Sequence, residues 1–286
     1  MQQFETPGAV RVEIRNPAGW VRLEAVEGGT TAVELSPLSQ GAEELIERTR
    51  VEAPERGGRH EVLIDVPRGH SRQPEVGVAI TVPAGAEVTV QVASADVTLR
   101  GRLGSLDVRG ASGDVEVDEV TGNARVELAS GDVRIGSVAG DLRSVTASGD
   151  LRAGRVGGRA ELESASGDVT VAELDQGARL RTASGDVRVE AAGAGINAQS
   201  TSGDVVVATV REGTFEVRST SGDVEIGVAT GSRVDVEADS RSGRCSSEIP
   251  LDQGSSGGGE GPLVTIRART LSGDVRIRRA TEVLAR

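Results

Sequence analysis

An 18-residue repeat runs through most of the chain and constrains its fold more than any other feature. The tripeptide Ser-Gly-Asp starts at this interval at Ser112, Ser130, Ser148, Ser166, Ser184 and Ser202. A degenerate copy, Ser94-Ala95-Asp96, lies 18 residues before the first, and related tripeptides with looser spacing start at Ser221, Ser242 and Ser272. In the copy at Ser242, Arg244 replaces the aspartate. Self-similarity at a fixed period indicates a repeat architecture.

Apolar and polar residues alternate after each aspartate. One copy reads Val115-Glu116-Val117, and every copy that keeps the aspartate has a branched aliphatic residue directly after it. This alternation is typical of a strand with one buried face. One repeat cannot bury its own apolar face, whereas stacked copies align each apolar column with itself. The pattern predicts an all-β fold, a parallel β-solenoid of about ten coils.

The Ser-Gly-Asp tripeptide is expected to form the corner between two strands of a coil. Glycine adopts a positive φ without steric cost, and aspartate or serine side chains accept hydrogen bonds from nearby backbone N–H groups. The tripeptide therefore has a structural explanation that requires no catalytic or metal-binding role.

The repeat also sets the expected domain boundaries. Residues 1–92 lack it but contain several strand-like runs and one helix-forming stretch at residues 41–48, so they predict a β-rich N-terminal cap. Residues 93–279 form the solenoid, with a flexible insertion at 252–261. Residues 280–286 form a C-terminal tail that covers the open end. Because a covered end does not template further stacking, we expect a monomer.

Charge and composition narrow the range of partners and compartments. The 44 acidic and 32 basic residues give a net charge of −12, and all basic residues are arginine. Such a surface disfavours nucleic acid, which binds to clustered positive charge. We find no signal peptide and no apolar run long enough to span a bilayer, so we expect no membrane insertion and a cytoplasmic location. The single cysteine, Cys245, fits a reducing compartment.

The chain resembles the bacterial β-strand-repeat proteins of unknown function that are called putative adhesins. The resemblance rests on ITVPAGAEVTVQVASADVTLRG at 80–101 and on serial ASGD units at 111–117, 129–135, 147–153, 165–171 and 183–189. It covers roughly residues 8–279 and implies a parallel β-solenoid, in some cases associated with the cell envelope. The family supplies no catalytic or binding residues that could be transferred to this chain.

The strongest candidate for chemistry is the aspartate column that runs from Asp96 to Asp223. Neighbouring carboxylates one strand apart repel each other by about 0.9 kcal/mol even in water. Backbone N–H groups, adjacent arginines or bound cations could relieve this repulsion. We favour turn capping, because one such turn per repeat offers calcium few ligands. The candidate calcium ligands are Asp114, Asp132, Asp150, Asp168, Asp186 and Asp204.

A carbohydrate-active enzyme is a further alternative, because some β-helix proteins cleave polysaccharides with paired carboxylates. Sugar sites usually contain aromatic platforms, and this chain has no tyrosine and a single tryptophan, Trp20, outside the repeat. We therefore rank this alternative last.

Several smaller features have structural explanations. His60 and His70 are expected to be solvated loop residues, and the G-x-S-x-G match at 254–258 lies in a low-complexity loop and is read as coincidence. Arg276, Arg278 and Arg279 are expected at the solvated edge of the last strand, where they would block end-to-end pairing. Cys245 occupies the position of a buried valine, so an inert core thiol is expected.

These observations favour a non-enzymatic protein that presents repeated polar columns to a partner, as a scaffold or adhesin-like binding module. The partner would be a protein or a cell-envelope component, and no cofactor is expected. The first alternative is a calcium-binding repeat rod, and the second is a carbohydrate-active β-helix enzyme.

Overall fold

The computed structural model of the chain describes residues 1–69, 73–249 and 261–280. These residues fall into two compact units, Met1–Ala147 and Ser148–Arg286. The predicted insertion at 252–261 therefore lies outside the described residues except for Gly261, and the predicted tail lies outside them except for Ala280.

The first unit contains one helix and thirteen strands in its described part. They are β1 (Gln2–Glu5), β2 (Val10–Val26), β3 (Thr30–Pro37), α1 (Ala42–Arg48), β4 (Arg50–Glu52), β5 (Glu55–Arg56), β6 (Arg59–Asp65), β7 (Val76–Pro83), β8 (Glu87–Leu103), β9 (Ser105–Ser112), β10 (Val115–Val120), β11 (Ala124–Ser130), β12 (Val133–Val138) and β13 (Leu142–Ser148).

The N-terminal region combines parallel and antiparallel pairing. Strand β2 pairs in parallel with β6, β7 and β8, so it already forms part of a coil. Strand β3 pairs antiparallel with β1 and β7, and β4 and β5 pair antiparallel with β6. Helix α1 has acidic residues in its first turn and Arg48 in its last turn, in agreement with the helix dipole. The antiparallel strands β1, β3, β4 and β5 and the helix all lie within residues 1–92, and the domain boundary at residue 92 stays a prediction.

The repeats of the first unit stack in register. Val115 lies between Val97 and Val133 in neighbouring coils, and Val120 lies beside Val138. These side chains are at most 1% exposed, because each column of aliphatic residues packs on itself along the stack.

The second unit consists of thirteen strands in its described part. They are β14 (Leu151–Val156), β15 (Ala160–Ser166), β16 (Val169–Leu174), β17 (Ala178–Ser184), β18 (Val187–Ala192), β19 (Ile196–Ser202), β20 (Val205–Val210), β21 (Gly213–Ser221), β22 (Val224–Val228), β23 (Arg233–Ser242), β24 (Cys245–Ser247), β25 (Leu263–Ser272) and β26 (Val275–Arg279).

The same stacking holds in the second unit, where the column after the aspartate is almost completely buried. It consists of Leu151, Val169, Val187, Val205, Val224 and Val275. Each unit is thus a parallel β-solenoid, and the predicted fold class, all-β with a β-rich cap and one short helix, is confirmed. In the described part of the chain, no helix is long and apolar enough to cross a membrane.

The last coils of the second unit are not stacked in sequence order. Strand β25 pairs with β21 on one side and with β23 on the other, and β26 lies between β22 and β24. The coil of β25 and β26 is therefore inserted between two coils that precede it in the sequence. The prediction that Arg276 lies at a free edge is wrong, because Arg276 is paired with both β22 and β24. Arg278 and Arg279 pair with β22 and, among the described residues, with no residue of β24.

Cys245 is exposed, contrary to the prediction of a core thiol. It belongs to β24, all three residues of which are exposed. In the described part of the chain, β24 pairs only with β26, so no further coil covers its side chains. A position that is buried in inner coils is therefore open to solvent in this outermost coil.

Candidate functional site

The Ser-Gly-Asp corners form the candidate site, and their glycines are fixed by backbone geometry. Positive φ angles between 122° and 151° occur at Gly113, Gly131, Gly149, Gly167, Gly185, Gly203, Gly222 and Gly273. A Cβ atom on Gly185 would lie 2.2 Å from the carbonyl oxygen of Gly167 in the preceding coil. The corner therefore needs glycine for two reasons, its φ angle and its close approach to the next coil.

The aspartates of successive corners are joined by hydrogen bonds into ladders. In the first unit the Asp114 N–H donates to Asp96 Oδ1 over 3.1 Å, and the Asp132 N–H donates to Asp114 Oδ1 over 2.9 Å. In the second unit the bonds measure 2.7–2.9 Å and join Asp150, Asp168, Asp186, Asp204, Asp223 and Asp274 in that order. The predicted acceptor role is confirmed, but the donor belongs to the adjacent coil and not to the same turn.

Arginines two residues after the aspartate neutralise part of the column. Arg134 binds Asp132 over 2.8 Å, Arg152 binds Asp150 over 2.7 Å, and Arg276 binds Asp274 over 3.2 Å. Because these pairs are solvated, each contributes about 1 kcal/mol or less. Together with the backbone donors they relieve the repulsion expected between stacked carboxylates.

The ladder of the second unit ends at the outermost coil. The Arg244 N–H donates to Asp274 Oδ1 over 3.0 Å, and the arginine offers no carboxylate to a further coil. This backbone bond, aided by the Arg276 side chain, lowers the pKa of Asp274.

A second set of corner contacts was not predicted. In five coils of the second unit, a Ser or Thr lies three residues before the corner glycine. Its hydroxyl group donates a hydrogen bond of 3.0–3.1 Å to the carbonyl oxygen of the corner glycine in the neighbouring coil. These residues are Ser164, Thr182, Ser200, Ser219 and Thr270. These side chains are buried, so their hydroxyls need a partner. The sequence signal was a Ser or Thr in a column where an apolar residue would otherwise be expected.

The structure brings the candidate calcium ligands into columns without gathering them around one point. In the described part of the chain, no group of three or more His, Cys, Asp or Glu side chains could hold a metal ion. Asp168, Asp186 and Asp204 are exposed, and each uses Oδ1 for the ladder. Calcium prefers six to eight oxygen ligands, roughly, so the ladder leaves few donors per coil. Calcium binding stays a prediction.

The predictions for the two histidines and for the G-x-S-x-G match have different outcomes. His60 lies in β6, half-buried and paired with Val10 and Glu55, so the prediction that it is a loop residue is wrong. His70 and the G-x-S-x-G match at 254–258 lie outside the described residues. Arg22 stacks over the Trp20 ring at 4.4 Å from its centroid, so one face of the single indole is occupied.

A cleft of about 640 Å³ in the first unit is lined by arginines and has one carboxylate. Its charged residues are Arg15, Arg68, Arg109 and Asp65. Arg15 and Arg109 are held by Glu13 and Asp107. Paired carboxylates of the kind that glycosidases use do not line this cleft.

No curated protein matches the sequence significantly. Among solved structures, a putative adhesin from Bacteroides fragilis is 12% identical, with coverage of 96% of this chain and 95% of that chain and a TM-score of 0.40. A putative lipid binding protein from Parabacteroides distasonis has the same identity and coverage and a TM-score of 0.44. A putative adhesin from Parabacteroides distasonis also has them, with a TM-score of 0.36.

A protein-family model described as Toastrack DUF4097 matches residues 56–278. This range includes β6, β7 and β8, which pair with β2, the repeats of both units and all but the last residue of the coil of β25 and β26. Because the match covers well over half of the sequence, the chain belongs to the Toastrack DUF4097 family.

Proposed function

We propose that this protein is a non-enzymatic scaffold or adhesin-like binding module. Its coils would present columns of polar side chains to a protein or a cell-envelope component. The proposal rests on the in-register stacking of outward-facing residues, which turns each repeat position into a row of similar groups.

The proposal depends on the columns of outward-facing side chains in the second unit. Residues Glu163, Arg181 and Gln199 lie side by side on β15, β17 and β19, and Glu163 and Arg181 form an ion pair of 3.5 Å. Neighbouring rows lie about 4.8 Å apart, so the strands form an extended, regular polar surface. Such a surface suits recognition of an extended partner better than enclosure of a small substrate.

The carboxylates of the column support a binding role over catalysis. Each Oδ1 in the ladders accepts a backbone hydrogen bond, and several second oxygens bind arginine. A general acid or base needs a carboxyl group that can exchange its proton with substrate, and in these carboxyl groups at least one oxygen is already used in the fold. The alternative of a carbohydrate-active enzyme would require two free carboxylates that flank a sugar.

A calcium-dependent rod is the second candidate, favoured by one observation. Asp168, Asp186 and Asp204 stand one coil apart, and the structure shows no ion pair for them within its described residues. Cations in solution could therefore approach the second oxygens of three consecutive carboxylates.

The experiment is affinity capture with the whole chain as bait, from envelope and cytoplasmic fractions of the native host. Three baits are compared: wild type, Glu163→Gln/Arg181→Gln in the second unit, and Glu13→Gln/Arg15→Gln in the first. We expect one fraction to yield a partner that wild type retains and one double variant loses. A partner retained equally by all three baits would contradict recognition of the columns, and turnover of a polysaccharide would contradict the non-enzymatic role. The fraction that yields the partner identifies the compartment.

A further inference from the structure

The outermost coil of the second unit leaves one strand edge open. Strand β23 pairs with β25, and no other described residue pairs with it. Its inward side chains Val234, Val236 and Ala238 are half-exposed, whereas Val264 and Ile266 on β25 are fully buried. The apolar interior of the solenoid therefore reaches solvent at this edge.

The outward face of β23 is acidic. Asp235, Glu237 and Asp239 alternate with the inward apolar residues. Glu237 is held by Arg267 and Arg269 of β25. Asp235 and Asp239 are exposed and have no ion pair within the described ranges 1–69, 73–249 and 261–280. Two carboxylates at this edge are thus available to basic groups that approach from the open side.

We propose that the open edge of β23 binds an extended partner segment in which basic and apolar residues alternate. The segment adds in parallel to β23 as one more strand. Its apolar side chains cover Val234, Val236 and Ala238, and its arginine or lysine side chains lie against Asp235 and Asp239. Strand β25 already shows this chemistry on the other side of β23, with Arg267 and Arg269 between apolar residues.

The corner next to β23 limits what can be added. In inner coils, an aspartate carboxylate receives the N–H of the next corner, but Arg244 occupies this position in the outermost coil. A complete further coil would lack its corner hydrogen bond, so the edge favours a single strand. A second copy paired antiparallel about Glu237 would place Asp235 opposite Asp239, where like charges repel. The site therefore suits a basic strand from another molecule, and it is independent of the outward columns of the inner coils.

A peptide with the sequence of residues 262–271, PLVTIRARTL, is a suitable probe because it repeats β25. Its fluorescently labelled form is titrated with the full-length protein and followed by anisotropy at low and high salt. We expect saturable binding that weakens with salt, because exposed charge pairs are screened. A peptide with Arg267→Glu and Arg269→Glu is expected to bind at least about tenfold more weakly.

Protein variants locate the site. Asp235→Asn/Asp239→Asn keeps the shape of both side chains and removes two charges, and we expect it to weaken binding of the wild-type peptide by about three- to tenfold. Glu173→Gln/Glu190→Gln removes the same net charge on β16 and β18, in inner coils of the second unit, and should leave the affinity unchanged. Hydrogen exchange with bound peptide should show new protection within residues 233–239.

Three results would overturn the proposal. They are the absence of saturable binding at millimolar protein, equal binding of the charge-reversed peptide, and new protection outside β23. Altered exchange in β21 and β25 would mean that the peptide replaces β25, which also contradicts addition at the open edge.

Discussion

The backbone of each corner is determined by its glycine more than by its charged residue. At Gly185 the φ angle is 147°, and the nearest backbone atom of the preceding coil leaves no room for a Cβ. The aspartate beside it accepts a hydrogen bond from the next coil and thereby sets the position of that coil. The two residues have separate roles, since one permits the turn and the other connects it to its neighbour.

We expect Gly185→Ala to destabilise the protein by about 2–4 kcal/mol, because it combines an unfavourable φ with a backbone clash. The matched control is Gly177→Ala, where a Cβ would lie 3.4 Å from the nearest atom and φ is not positive. The control should change stability by about 0.5 kcal/mol or less. Urea unfolding of both variants measures the difference, and similar losses in the two would contradict a special role for the corner.

Protonation of Asp274 provides a pH test of the ladder. Its pKa is lowered in the folded state, first by the N–H of Arg244 and then by the Arg276 side chain. The folded state therefore favours the ionised carboxylate, and this contribution is present above about pH 4 and is lost as the pH falls through the lowered pKa.

Thermal unfolding between about pH 2 and pH 5 should show this loss in the wild type. Asp274→Asn has no proton to gain, so we expect its stability to fall less steeply over the same range. Equal pH slopes for the two proteins would mean that the bonds to Asp274 contribute little.

The order of the last coils places the coil with the fewest apolar residues at the exposed end of the second unit. If the coils were stacked in sequence order, Cys245 would lie between Val224 and Val275, and Ser247 would lie between Ile226 and Ile277. Arg244 would also interrupt the aspartate ladder between Asp223 and Asp274. In the observed order the least apolar coil is outermost, and both the core columns and the ladder stay continuous.

The exposure of Cys245 tests this order directly. In the observed arrangement we expect the native thiol to react with an aromatic disulfide reagent within about tenfold of its rate in the unfolded chain. Stacking in sequence order would bury it and slow the reaction by several orders of magnitude. The measurement needs only the wild-type protein, with a Cys245→Ser variant as the blank.

The repeat in the sequence was sufficient to predict the strands, the buried columns and the corners, because each depends on residues within one copy or on identical positions in adjacent copies. The order of the last coils does not follow from the repeat pattern, because like columns align with one another whichever coil lies next to which. The degenerate corner at Arg244 and the polar Ser247 were the available signals, since terminal repeats are commonly atypical. The hydroxyl column was also missed, because its partners lie in a neighbouring coil.

For the whole molecule, the net charge of −12 means that stabilisation by cations does not by itself indicate a binding site. Divalent cations screen repulsion among 44 acidic groups whether or not a site exists. A rise in melting temperature with calcium therefore indicates a site only if it exceeds the rise with magnesium and depends on particular carboxylates.

We expect millimolar calcium and magnesium to raise the melting temperature by similar small amounts, because the ladder uses one oxygen of each stacked aspartate. The variant Asp168→Asn/Asp186→Asn/Asp204→Asn keeps an acceptor oxygen at each corner and removes the charges, so it should fold and respond to both cations slightly less. Specific binding would instead stabilise the protein in proportion to the logarithm of calcium concentration over its dissociation constant. A calcium response that magnesium does not reproduce, and that the triple variant loses, would replace the scaffold with the calcium-dependent rod as the better description of this protein.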